Sequence, residues 1–579
     1  MQLRRALFII REYYDFCEYE EASIYSAFCI GEAVMKMKIT GAEAIVKALI
    51  NENVEVLFGY PGAAICPFYD ALFDSGLKHV LTRNEQGAAH AASGYARVTG
   101  KTGVCIATSG PGATNLITGI ATAYMDSIPI VAITGQVQLD QIGKDVFQEA
   151  DITGATAPFC KHSYLVKNVK DLPRIIKEAF YIASTGRPGP VLIDVPVDVQ
   201  CKELDFEYPE EVSIRGYKPT YKGHSMQIKR IAEAVQKSKA PVICAGGGIL
   251  NADATAELMG FAEKCSIPVA STMMGISCIP SEHELNLGML GSHGVYAANY
   301  AINHADLVII MAARVADRAM GTAAKIAEKA KIIHIDIDPA EIGKNIETDI
   351  PVVGDIKSIL KELTEIIEKP HTEKWIETLN TVKKEHPLQI AADENTATVK
   401  PQYLISVLSE IAGENAVITT EVGQNQIWSA NYYNVRKPRT FITSGGMGTM
   451  GYGLPAAVGA KVGVGDKAKV IVIGGDGSFQ MSMQELGTIK QQKLGVKIII
   501  LNNSRLGMVR EVQKIRYCGR YSQVHLDENP DFVKLAEAYG FKGRTISSNS
   551  EVRQAVEKML SDDEPYLLEC KIDPEEATL

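Results

Sequence analysis

An aspartate and a pair of asparagines carry the first chemical signal. Gly474-Gly475-Asp476-Gly477-Ser478 follows the apolar run Lys469–Ile473, and Asn502-Asn503 follows the next, Lys497–Leu501. One carboxylate and one amide oxygen suit a hard cation such as Mg²⁺, which takes a few protein oxygens and fills its octahedron with phosphate and water. The glycines let the backbone approach a diphosphate, and a helix opening after Gly477 would favour its charge. Gly-Asp-Gly alone is an ordinary strand-to-helix turn. What makes it specific is Asn-Asn at the end of a second apolar run, about 30 residues on, the span of one βαβ unit.

Such a unit needs two parallel, adjacent strands, with a helix over about residues 481–492 between them. Asp476 and Asn503 then emerge at carboxyl ends of strands, where open α/β sheets bind ligands. The rest of the chain repeats the alternation. Strands are expected at 54–59, 78–83, 103–108, 128–134 and 191–195; at 241–245, 267–271, 307–311 and 331–337; and at 416–420, 440–443, 469–473, 497–501 and 566–571. Helices lie between them, so each region reads as a parallel sheet covered on both faces. The fold class is α/β, with three Rossmann-like parallel-sheet domains at 37–205, 222–365 and 398–575, after an N-terminal extension at 1–36. Polar stretches at 203–224 and 362–394 separate the regions. The first and third open alike, with a helix, a strand and a glycine-containing loop (Gly59-Tyr60-Pro61-Gly62; Val422-Gly423-Gln424), a faint sign of duplicated architecture.

Composition narrows the class. The 579 residues are 46% apolar and 22% charged, with a formal charge of −10, ordinary for a globular protein. An acidic chain without a basic run has no electrostatic footprint for nucleic acid. No apolar stretch reaches the roughly 18 residues of a membrane span. Arg4-Arg5 before Ala6–Ile10 resembles a signal peptide, but Arg11 and Glu12 cut the run short. The 11 cysteines are scattered with no C-x-x-C pair, as in a reduced, cytoplasmic protein.

With Asp476-Gly477 and Asn502-Asn503 in place, the chain resembles the thiamine-diphosphate enzymes. Over residues 39–573 it resembles the acetohydroxyacid (acetolactate) synthase catalytic-subunit family. The supporting strings are residues 85–92, 108–115, 122–129, 444–451 and Asn529-Pro530-Asp531-Phe532. The resemblance implies a pyrimidine-binding domain, a central FAD-binding domain and a diphosphate-binding domain. It implies thiamine diphosphate, Mg²⁺ and FAD as cofactors, with Asp476, Asn503 and the carbonyl of Arg505 on the metal. Gln424, Asn425, Gly448, Met450, Gly477, Ser478 and Met508 map onto thiamine-diphosphate positions, Met450 as the apolar wedge that bends the cofactor. Glu85 would contact the aminopyrimidine N1′ across a dimer interface; read from the residues alone, it is a helix-start glutamate favoured by the macrodipole. Phe147 and Gln148 match positions lining the reaction pocket. Arg318 matches the guanidinium that holds the second keto acid's carboxylate, a task suited to its planar fork. Arg187, Gly247, Thr272, His293, Arg314, Asp336 and Asp355 match flavin positions.

The implied reaction decarboxylates pyruvate and condenses the two-carbon unit with pyruvate or 2-ketobutyrate. That gives 2-acetolactate or 2-aceto-2-hydroxybutyrate for branched-chain amino acid synthesis, in a homodimer or dimer of dimers. Two alternatives stay open: a catabolic, flavin-free acetolactate synthase, and a pyruvate oxidase-like flavoenzyme. The departures bear on them. Val512 replaces the usual Trp, Asn425 a His, Ala63 a Gly and Val197 a Lys; Val315-Ala316 replace Phe-Asp. The sequence also ends at 573–579 without the usual tail over the site. Acceptor preference, flavin retention, oligomer size and binding of a small regulatory subunit are not legible.

Overall fold

The computed structural model describes residues 38–578 except 322–324, 327, 391 and 392; the expected extension at 1–36 lies outside the described residues. Central strands such as Ile130–Gln136 and Val496–Asn502 are buried along their whole length. Strands covered on both faces read as continuous apolar runs, which is why they were expected where they stand.

Three six-stranded sheets result, all parallel. The first runs Lys78–Leu81, Val56–Tyr60, Gly103–Ala107, Ile130–Gln136, Val191–Pro196, His162–Leu165. The third runs Phe441–Ile442, Val417–Thr420, Val470–Gly475, Val496–Asn502, Tyr566–Lys571, Lys542–Ile546. Numbered by appearance, both have the order 2-1-3-4-6-5. The two loops that looked faintly alike therefore follow equivalent first strands of one shared topology. The middle sheet runs Asn286–Met289, Val269–Ser271, Pro241–Ala245, Leu307–Met311, Lys331–Asp336, Ile350–Val353, the 3-2-1-4-5-6 order of a doubly wound nucleotide-binding fold.

Two helices bind the first sheet to the third. Glu85–Thr99 starts at an Asn84 cap, whose side chain accepts from Gln86 N–H at 2.8 Å. It crosses Gly453–Val464 so closely that a Cβ on Gly94 would lie 2.0 Å from the Ala456 carbonyl oxygen, and one on Gly459 only 1.8 Å from that of Ala91. Glycine at both positions is what lets the backbones touch, and this contact fixes where Glu85 sits. The expected single helix at 481–492 is broken: a short helix Asp476–Phe479, a 3₁₀ turn Met483–Glu485, then Leu486–Gln492. The break turns Glu485 inward toward the Glu85 helix.

Candidate active site

Strands Val470–Gly475 and Val496–Asn502 are hydrogen-bonded neighbours, Gly475 opposite Leu501. The chain leaves each at its carboxyl end, so Asp476 and Asn503 come together as the βαβ argument requires. Asp476 is 1% exposed. Burial pushes its carboxyl up to about 6, against the pull of Asn529 and of the Asn503 main-chain N–H. Asn503 donates to Gln424 Oε1 at 3.1 Å and accepts from Arg505 N–H at 3.0 Å. Gln424 in turn passes so near Gly507 that a Cβ there would meet its Oε1 at 1.9 Å.

One cavity unites most of the diphosphate-side candidates. Gln424, Asn425, Met450, Asp476, Gly477, Ser478, Asn503, Arg505 and Met508 all line it. The side-chain oxygens of this lining are a carboxylate, amides and a hydroxyl, hard donors that fit Mg²⁺ provided phosphate and water complete the shell. No cluster of three or more His, Cys, Asp or Glu side chains able to hold a metal occurs among the described residues. Gly448, at φ +68°, and Gly451, at φ +84°, turn the loop that carries Met450; both conformations favour glycine. Asn425 spends its donor hydrogens on the carbonyls of Glu421 (2.9 Å) and Ile473 (3.0 Å), so its amide group ties the strand ends together.

Several residues that hold this site were not singled out from sequence. Glu421, fully buried, accepts from Gly451 N–H at 2.7 Å and Leu454 N–H at 3.1 Å, and burial pushes its carboxyl up to about 7. Thr122 bonds Thr449 between hydroxyls at 2.7 Å, and Asp126 accepts from Gly446 N–H at 2.6 Å. The Met450 loop is thus moored to the N-terminal domain. Asn529 donates to Asp476 Oδ2 at 2.6 Å. Thr122, Asp126 and Asn529 fell inside strings quoted for the resemblance, which was their only signal.

Glu85 is half-buried at the first turn of its helix and accepts from Asn115 Nδ2 at 3.0 Å. Its approach is set by Glu485, whose two carboxylate oxygens both take the Arg83 N–H, at 3.0 and 3.2 Å. Gly112 packs beside Glu85, and Gly110 beside Gln148: a Cβ would lie 3.3 Å from Glu85 Oε1 and 2.9 Å from the Gln148 carbonyl oxygen, respectively. The structure therefore gathers Glu85 and Gln148 around the Ser109–Gly112 turn. Phe147 is 85% exposed beside them. The lining of the Asp476 cavity comes entirely from residues 422–572 and includes neither Glu85 nor Gln148.

The chain end packs against this site. Residues 575–578 fold back onto the diphosphate side: Gln424 Nε2 donates to the Glu576 carbonyl at 3.0 Å and Trp428 Nε1 to that of Ala577 at 3.2 Å. Thr578 N–H reaches Glu511 at 2.7 Å, and Glu575 pairs with Arg510. The short terminal segment covers one wall of the site.

In the middle domain, Gly247, Thr272, His293 and Arg314 follow the carboxyl ends of four strands, and Asp336 ends a fifth. Gly247 and Arg314 flank strands one and four, where the order reverses and nucleotide folds bind. Arg187 ion-pairs with Asp338 and Glu341 at 3.2 and 2.9 Å. No hydrogen bond among the described residues holds the Arg314 guanidinium, and burial with the neighbouring Arg187 pushes its pKa down. Asp126 Oδ2, facing Arg314, is buried without a partner. The unpartnered Arg314 guanidinium fits an anionic group such as a phosphate, and the Asp126 oxygen fits a hydrogen-bond donor of a polar ligand. Burial also pushes Asp336 up to about 6 and lowers His293, which Arg318 further depresses and Glu511 opposes. Arg318 itself is 74% exposed. Asp355 caps helix Ile356–Ile366, accepting from Ser358 N–H at 2.9 Å.

Family models agree with this arrangement. The N-terminal, central and C-terminal domains of thiamine pyrophosphate enzymes match residues 39–155, 228–363 and 421–570. Sheet order, paired strand ends and these matches define a thiamine pyrophosphate enzyme. The chain is 50% identical over 550 residues to a probable acetolactate synthase large subunit of Methanocaldococcus jannaschii, covering 93% of this chain and 92% of that one. It is 46% identical to the acetolactate synthase large subunits of Buchnera aphidicola (93% and 95%) and Corynebacterium glutamicum (91% and 86%). It belongs to the acetolactate synthase large-subunit family.

Proposed function

We propose that this chain is the catalytic subunit of an acetolactate synthase, acting on pyruvate and on a second pyruvate or 2-ketobutyrate. The observation that carries the reading is the Asp476–Asn503 pair at adjoining strand ends, in a chain half identical to such subunits. Bound thiamine diphosphate supplies the carbanion chemistry. Asp476, Asn503 and the Arg505 carbonyl would hold Mg²⁺; Gln424, Gly477, Ser478 and Met508 would orient the diphosphate. Met450 presents an apolar side chain to the ring system. Glu85 exchanges a proton with N1′. Because the Asp476 cavity is lined from residues 422–572 alone, we assign the Glu85 that serves it to a second copy, in a homodimer or dimer of dimers. Gln148 and Phe147 would border the reacting carbons, and Arg318 would clamp the acceptor's carboxylate. The test is product analysis with Mg²⁺, thiamine diphosphate and pyruvate, with and without 2-ketobutyrate: acetolactate without an electron acceptor supports the reading, and acetate or acetyl phosphate formed only with an oxidant overturns it.

The relatives' designation as large subunits supports a small regulatory partner. No described helix is long and apolar enough to cross a membrane. Eight of the nine described cysteines, Cys201 aside, are free thiols, which supports a reducing cytoplasm. The three sheets support domains at 37–205, 222–365 and 398–575.

FAD is assigned to the middle sheet on the Arg187–Arg314 pair, the unpaired Asp126 oxygen and the strand-end residues. Purified protein should then show an oxidised flavin spectrum that stays unbleached during anaerobic turnover. A colourless, active preparation would remove FAD and favour the flavin-free alternative.

Acceptor choice falls to Val512. It lies on helix Gly507–Arg516, three and four residues beyond the lining residues Val509 and Met508 and so on their face, 40% exposed. A Trp there would give the acceptor's extra methylene a broad apolar wall, worth roughly 1 kcal/mol or somewhat more. The parent should prefer 2-ketobutyrate only modestly, and Val512→Trp should raise the preference several-fold in direct competition. A strong parental preference unchanged by Trp would place the acceptor elsewhere.

A further inference from the structure

We infer that Glu149 is the positioning residue that fixes Phe147 and Gln148 at the reaction pocket; the inference rests on the reading above that these two border the reacting carbons. Glu149 Oε1 accepts from the Gly143 N–H, and Oε2 accepts from the Val146 N–H at 3.4 Å. The main-chain donors of Gly143, Val146, Lys144 and Asp145 hold the carboxyl below its ordinary range, against its own desolvation. Successive N–H groups turned toward one point make an anion-binding hollow. Here the anion is the loop's own side chain.

The turn it closes is the one that presents the pocket residues. The Glu149 N–H returns to the Val146 carbonyl at 3.1 Å, so Phe147 and Gln148 are the two central residues of a four-residue turn. Carboxylate and main chain of Glu149 therefore grip Val146 together. The backbone needs such a hold. Asp145 stands at φ +54° and Gln148 at φ +59°, left-handed conformations that glycine adopts freely, as Gly143 does at φ +80°. Other residues keep such angles where their surroundings over-determine them. Gly110 confines Gln148 from one side, since a Cβ there would lie 3.0 Å from Gln148 Cα. Glu149 confines it from the other.

Both feet of the loop are held without Glu149. Leu139 N–H donates to Asp198 Oδ1 at 3.1 Å. Gln136 Nε2 donates to the Ala150 carbonyl at 2.8 Å and to Asp194 Oδ2 at 2.9 Å. Loss of the Glu149 carboxylate thus frees the turn and leaves its sheet anchors in place. The Asp476 cavity includes no residue of the loop.

Glu149→Gln keeps length and one acceptor but turns an NH₂ group toward main-chain donors. It should lower kcat/KM for pyruvate about 10- to 100-fold, the scale of a roughly 1 Å misplacement. The Kd for thiamine diphosphate with Mg²⁺ should stay near the parental value; it is read from the fluorescence of Trp428, one of the two tryptophans, which lines the cavity. Equal loosening of the cofactor would mark a general structural defect and overturns the inference. In a Phe147→Ala/Gln148→Ala background the same substitution should cost under about twofold, because nothing is left to position. Losses that multiply in full overturn it. Hydrogen exchange reads the turn without turnover: the Gly143 and Val146 amides should exchange at least several-fold faster in Glu149→Gln. Equal exchange overturns the inference even where the combined variant is too slow to assay. A Phe147→Ala/Gln148→Ala protein with parental kcat/KM refutes the pocket reading instead.

Discussion

Asp476→Ala should abolish Mg²⁺-dependent binding of thiamine diphosphate while the protein stays folded. The cavity offers a cation one carboxylate; the other side-chain oxygens lining it belong to amides and to the Ser478 hydroxyl. Losing merely an outer partner of a ligand costs about 10–100-fold in metal affinity, so losing the sole anionic ligand should exceed that range and take the diphosphate with it. The substitution also removes the acceptor of the Asn503 N–H and leaves the half-buried Asn529 amide only its 3.3 Å bond to Asn502. An unmet buried donor costs about 1–3 kcal/mol, an amount a chain with cores this size should survive. Asp476→Asn separates the effects: it restores an acceptor for Asn529 without the charge and should fold like the parent, yet still bind weakly. Calorimetric titration with and without Mg²⁺ checks both. Parental affinity in Asp476→Ala would put the metal elsewhere.

The contrast between what was legible in the sequence and what was not has a physical pattern. Besides the two-stranded pair Lys38–Thr40 and Glu203–Asp205, four strands of the large sheets went unread: His162–Leu165, Asn286–Met289, Ile350–Val353 and Lys542–Ile546. All four are sheet edges. An edge strand buries less and need not be apolar throughout: His162–Leu165 has no fully buried residue, and Lys542–Ile546 only Ile546. Continuous apolar runs reveal strands flanked on both sides most readily; of the six edges of the large sheets, only Lys78–Leu81 and Phe441–Ile442 were expected. The site divides in the same way. Asp476 and Asn503 were legible because strand-end position and residue type together are a local signal, whereas Gln424 entered through the resemblance alone. Glu421, Asp126, Asn529 and Glu485 act through hydrogen bonds to groups 30 to 402 residues away, and local pattern carries no trace of such partners. The packing of the chain end was not legible for the same reason, since its bonds to Gln424, Trp428 and Glu511 span distant segments.

Glu85→Gln should retain fold and cofactor binding yet lose most carboligase activity. The residue opens a helix whose place is set by Asn84, by Glu485 on the Arg83 N–H, and by the close crossing with Gly453–Val464. None of these uses the Glu85 carboxylate, so the amide should disturb little. Glutamine keeps an oxygen for the Asn115 amide, which reaches Glu85 Oε2 at 3.0 Å. What it cannot do is give up or take a proton at N1′. Proton transfer by a positioned side chain contributes about 10²–10⁴-fold, and kcat should fall by that order while the Kd for thiamine diphosphate, read from Trp428, stays near the parental value. Glu85→Asp discriminates further: it preserves the acid but withdraws it by one methylene, and should recover part of the lost rate. A structural role predicts the opposite pattern, with Gln, the closer match in shape, tolerated better than Asp. Parental activity in Glu85→Gln with cofactor bound would end the assignment of Glu85 as the proton-exchanging group.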